Sequence, residues 1–147
     1  MKDTEFFQII NDAMAKHPFW FEGVSENEKV SIDEIKEIEI LKKITYPEEY
    51  KKFMSNYGAG DFAFTNVYSP KFKGEMSSWE QIEKYNIPEL FIPISDNGCG
   101  DYLGFKVDGG MCSEALFWSD HEQGYEISNK AAYESFYSFI VNEGLNT

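Results

Sequence analysis

The apolar positions of this chain change their spacing part-way along. Up to residue 58 they recur every three or four residues, and beyond residue 60 they loosely alternate. Phe6, Phe7, Ile10 and Met14 predict a helix from Thr4 to Lys16. His17-Pro18 ends it, because the residue before a proline is pushed out of the helical region. Phe19-Trp20-Phe21 follows as an aromatic anchor in a connector. Ser31, with Glu34 three residues on, reads as a capping box. Ile32, Ile35, Ile38 and Leu41 make the apolar stripe of that second helix. Pro47 opens a third helix, with Glu48 and Glu49 at its positive end and Gly58 past its last turn. Tyr50, Phe53, Met54 and Tyr57 form its apolar face.

The second half predicts a sheet. "DFAFTNVYS" reads as one strand, and "SSWEQIEKYN" as a short helix behind Ser77 or Ser78. "ELFIPIS", "DYLGFKVD" and "EALFWSD" read as three strands. Asp108-Gly109-Gly110 is the hairpin signal between the last two, since positive φ is cheap there. "SNKAAYESFYSFIVNEG" predicts a closing helix capped by Ser128 or Asn129, with Ala132, Phe136, Phe139 and Ile140 inward. Helices, then an antiparallel sheet, then a closing helix give an α+β fold rather than alternating βαβ units. The 147 residues fit one domain, spanning 1–147.

Charge narrows the function. The net charge of −13 excludes a basic nucleic-acid groove and disfavours anionic membranes. It suits either solubility alone or a basic partner, because complementary fields speed association. No segment approaches the ~18 apolar residues of a membrane span. The opening residues lack the pattern of a secretory signal, so the expected location is the cytoplasm. There Cys99 and Cys112 are expected as free thiols.

Polar chemistry concentrates in "IPISDNGCGDYLGF", residues 92 to 105, and "WSDHEQGYE", residues 118 to 126. Cys99, His121 and an aspartate would make a cysteine-nucleophile set. A catalytic thiol needs cationic or helix-terminus stabilisation, however, and here Asp96 and Asp101 oppose the thiolate. Asp96, Asp101, Asp120 and His121 offer metal ligands. Their spacing matches no calcium loop, and the two Cys with His17 and His121 match no zinc pattern. The glycines of "GCGDYLG" precede no helix and no phosphate-binding lysine. Ser-Asp-Asn-Gly is turn chemistry, so the first segment reads as a strand-to-strand connection with a carboxylate rim. The expectation is a protein with no catalytic residue, no metal and no cofactor.

Four stretches together resemble the SUKH superfamily, which includes the Smi/Knr-type regulator domain of yeast cell-wall synthesis and many bacterial immunity proteins. They are "SIDEIKEIEILKKITYPEEYKKFMSNYGAG", with Tyr46 where the family usually has Leu before Pro47, then "LFIPISDNGCGDYLGFKV", "LFWSDHE" and "SFYSFIVNEG". The resemblance spans roughly residues 25 to 143. It implies a curved antiparallel sheet partly wrapped by helices, without catalysis or cofactor. It also implies an immunity protein that binds and neutralises a cognate toxin. Such toxins are often nucleases with basic clefts, which the acidic charge would complement. The alternative is a non-catalytic regulatory interaction module of the cell-wall type. The expected partner-binding residues are Asp96, Asp101, Tyr102, Trp118, Asp120 and Glu122. Aromatics beside carboxylates are the mix of an interface hot spot.

Overall fold

A computed structural model describes residues 1–88 and 90–147. Helix α1 (Asp3–Lys16) buries Phe6 and Ile10 and stops at His17. A 3₁₀ turn over Pro18–Phe21 carries the aromatic anchor. Of its three rings, Phe21 enters the core and Phe19 stays exposed. Helix α2 (Ile32–Lys42) begins at Ser31, whose hydroxyl accepts the Glu34 N–H. Only Ile35 and Ile38 of its expected stripe are buried, and Ile32 and Leu41 face out. Each three-residue step falls about 60° short of a full turn, so the ends of such a stripe rotate off the contact face.

Helix α3 (Glu48–Asn56) buries Tyr50, Phe53 and Met54, with Tyr57 at its end. Pro47 is its N-cap rather than its first helical residue. Strands β1 (Gly60–Phe62) and β2 (Thr65–Val67) form a two-stranded antiparallel hairpin. The sequence suggested a single strand there. Its break has no glycine signal and is made by tertiary bonds. The Ala63 N–H donates to the Trp20 carbonyl (3.0 Å), and the Phe64 N–H to the Gly144 carbonyl (2.9 Å). Helix α4 (Ser78–Tyr85) follows, capped by Ser77.

The main sheet is antiparallel, ordered β3 (Phe91–Asp96), β4 (Tyr102–Asp108), β6 (Phe117–Asp120) and β7 (Glu126–Ile127). Glu89, the first residue of the expected strand "ELFIPIS", lies outside the described residues. Asp108-Gly109-Gly110 does turn the chain, but into the short β5 (Met111–Cys112), which pairs with the end of β4. Strand β6 then pairs with the start of β4. Strands β3 and β4 shift register between Pro93 and Ser95, where Gly104 lies opposite Pro93. A Cβ at Gly104 would sit 2.1 Å from the Ile92 carbonyl oxygen, so only glycine fits.

The closing helix is shorter than expected. Residues 132 and 133 stay extended because the Ala132 N–H donates to the Leu116 carbonyl (2.8 Å) and the Leu116 N–H to the Tyr133 carbonyl (3.0 Å). Neither Ser128 nor Asn129 caps a helix. Ser135 does, in a reciprocal box with Ser138, opening α5 (Phe136–Phe139) and the π-helical turn Ile140–Gly144. Phe136, Phe139 and Ile140 are buried as expected. A large aromatic-rich core joins the layers, with a smaller cluster of Tyr68, Ile87, Phe91 and Tyr102 beside it. In the large core Phe6 stacks on Tyr137 (3.8 Å between centroids), and Phe53 packs edge-on against Phe62 and Phe136.

Candidate functional site: an acidic face around Trp118

The loop from β3 to β4 is held in place by hydrogen bonds along its length. Asp96, the last residue of β3, accepts from the Tyr68 hydroxyl, from the Asn66 amide (3.2 Å) and from the Gly98 N–H (2.8 Å). Asn66 also accepts the Asp96 N–H (3.2 Å) and the Ser95 hydroxyl (2.8 Å), so its amide clamps the strand end from both sides. Burial, followed by the neighbouring Asp96 carboxylate, pushes the Tyr68 hydroxyl up, which keeps it a donor. Asn97 closes the turn. Its Oδ1 accepts the N–H groups of Cys99 (2.8 Å) and Asp101 (3.2 Å), and its amide donates to the Asp101 carboxylate (3.1 Å). This is the Asx chemistry expected of the segment.

Asp101 carries the connection onward. Its Oδ1 accepts both the backbone N–H (3.0 Å) and the ring Nδ1 (2.6 Å) of His121, in the turn after β6. The His121 contacts, side chain first, hold the Asp101 carboxyl below the usual range, and the Asp101 contact raises the imidazole. Gly100 has φ +101, and a Cβ there would lie 3.0 Å from the His121 ring. A side chain there would crowd the ring, which would have to shift by a few tenths of an ångström, and would take a backbone angle that favours glycine. Asp120 caps the His121–Gln123 turn by accepting the Glu122 N–H (2.9 Å).

The ligand-type atoms of Asp101, Asp120 and His121 lie within 4.8 Å of one another. The Asp101 and Asp120 Oδ1 atoms and His121 Nδ1 are engaged in the hydrogen bonds just described. They form a bonded corner that fastens two loops. Cys99 is exposed at the loop tip, and Cys112 is buried beside the core.

Five of the six expected contact residues reach the surface of this face. Trp118 is half-buried and forms a wall shared by two cavities. One, of about 360 Å³, is lined by Asp101, Asp120 and Glu126 among others. The second, of about 580 Å³, is lined by Asp96, Asp61 and Glu143. Among the described residues, neither wall includes a lysine or arginine. Glu122 is exposed on the adjoining turn. Tyr102 is placed differently. It is buried at 6% exposure, and its hydroxyl donates to Gln81 (2.6 Å), so its ring supports the sheet under α4.

Sequence reading missed Phe64, Asp61 and Glu143. Phe64 read as an alternating strand residue, but it is 58% exposed on the hairpin turn and borders the larger cavity. Glu143 reaches the same cavity from the C-terminal turn, where it accepts the Tyr133 hydroxyl. Their separation along the chain left no local signal.

An antiparallel sheet with helices packed against it, presenting carboxylates around a half-buried tryptophan, defines a small α+β protein with an acidic face. The chain belongs to the SUKH family: the SUKH_6 family model, described as SMI1-KNR4 cell-wall, matches residues 32–140. A crystal structure of a protein from Pseudomonas syringae pv. tomato shares the fold. Its TM-score is 0.60 at 16% sequence identity, covering 93% of this chain and 99% of that chain. Among curated proteins none matches the chain.

Proposed function

We propose that this protein is a cytoplasmic immunity protein, which binds the nuclease domain of a cognate toxin and blocks it by covering its basic cleft. The observation that carries this reading is the pair of carboxylate-lined cavities that share Trp118, with no lysine or arginine among the described residues of their walls. A nuclease cleft is basic because it holds phosphates. A rigid acidic surface competes for the same side chains and is steered towards them by its field. Asp120, Glu122 and Trp118 are the direct contacts in this reading. Asp96 and Asp101 add charge while their hydrogen bonds fix the loop. The surface acts by binding alone, without a catalytic residue or cofactor.

A second reading has its own support in the family description, which points to cell-wall regulation. In that case the same face would dock a regulatory partner and inhibit nothing. Co-expression with the toxin domain encoded beside the gene separates the two. An immunity protein restores growth and abolishes the purified toxin's activity at equimolar ratio. A regulatory module leaves both unchanged.

A further inference from the structure

Phe64 is held in an unusual way. It is the second residue of the two-residue turn between β1 and β2, and Ala63 before it has φ +51. An alanine is disfavoured in the left-handed region, where its Cβ crowds the following carbonyl oxygen. Hydrogen bonds donated by the Ala63 and Phe64 N–H groups to the Trp20 and Gly144 carbonyls hold the turn there regardless. The Phe64 ring leans on Trp20 (4.8 Å between centroids), which itself stacks on His17 (3.8 Å). The outcome is a supported aromatic ring, more than half exposed, at the edge of a 580 Å³ cavity. Asp61, Asp96, Glu143 and Trp118 line the same cavity.

We propose that this cavity is an arginine-binding site, in which a guanidinium from the partner protein stacks on Phe64 and pairs with Asp61 and Glu143. The proposal rests on the binding role argued above and names the chemistry recognised there. A guanidinium is planar, stacks on aromatic faces and donates in a fork that suits carboxylates. Asp96 is already bonded by three donors and contributes field rather than a direct contact. The cavity exceeds what one guanidinium fills, so it also admits the chain that carries the arginine. Asn66 and Asn97 complete the wall, their amides held by the loop bonds described above.

The probe is the capped peptide acetyl-Gly-Arg-Gly-amide, titrated at low salt against the ¹⁵N-labelled full chain, with the citrulline peptide as its neutral isostere. The site predicts saturable shifts at residues 61–66, at 143 and at the Trp118 indole N–H, with Kd on the order of 1–10 mM. The citrulline peptide should produce none of these. Phe64→Ala, which removes an exposed ring, should weaken binding about tenfold while the spectrum stays dispersed. D61N/E143Q should do the same. Equal shifts from both peptides, shifts scattered over the other acidic surfaces, or indifference to Phe64→Ala would overturn the proposal. No toxin enters this titration. Its failure removes the arginine site alone, whereas failure of the toxin-protection assay removes the immunity reading.

Discussion

His121 and Asp101 set the behaviour of the loop at the residue scale. The Asp101 carboxyl is depressed, so its contribution is present above the unfolded carboxyl value and lost as pH falls through the folded one. The His121 imidazole is raised, so its contribution is full below about pH 6.5 and lost as pH rises through the folded value. The pair therefore fastens the loop best between roughly pH 4 and 6.5. Asp120 and Glu122 also favour the imidazolium, less strongly. An NMR titration should place the His121 midpoint above about 6.5 and show it falling in Asp101→Asn. A midpoint that ignores this substitution contradicts the pairing. The cysteines give a second residue-scale prediction. Burial pushes the Cys112 thiol up to about 12, while Cys99 is exposed. A thiol reagent at pH 8 should label one cysteine, Cys99, in the native protein and both after denaturation. Rapid native labelling of Cys112 would show that the core is not packed as described.

Elements show where a sequence is legible and where it is not. Helices α1 to α4 and the three strands β3, β4 and β6 follow from local periodicity and capping residues, and the structure places them close to their expected bounds. The features that failed are decided by distant partners. The hairpin at Ala63–Phe64 depends on carbonyls of Trp20 and Gly144, and the late start of α5 on Leu116. The same holds within the candidate site. Asp96 and Asp101 are recognisable as polar turn residues, but their restraints come from Asn66, thirty residues before Asp96, and His121, twenty residues after Asp101. Tyr102 looked like an exposed aromatic because alternation alone does not tell which sheet face α4 covers. Glycines give a contrast at this scale. Gly104→Ala drives a Cβ into the Ile92 carbonyl oxygen and should lower stability by more than about 3 kcal/mol, or prevent folding. Gly98→Ala meets no atom within 4 Å and incurs only the positive-φ cost, about 1 kcal/mol. Equal losses in urea unfolding would mean that β3 and β4 do not approach as closely as the register requires.

At the scale of the molecule, charge and architecture point the same way. In the proposed reading the SUKH fold supplies the scaffold, and the face around Trp118 carries the binding. The −13 charge is visible in the sequence, whereas the gathering of Asp61, Asp96 and Glu143 around one cavity and of Asp101, Asp120 and Glu126 around another needs the fold. Association with a basic partner should be fast at low salt and slow markedly as the screening length shortens from about 30 Å at 0.01 M to 8 Å at 0.15 M. The most direct measurement is the affinity of the adjacent gene's toxin domain for the wild-type protein and for a D61N/D120N/E122Q variant of unchanged melting temperature. The account predicts tight, inhibitory binding by the wild type, and at least about hundredfold weaker binding by the variant through loss of three interface charges. Equal affinity of the two proteins, or no binding by the wild type, would contradict it.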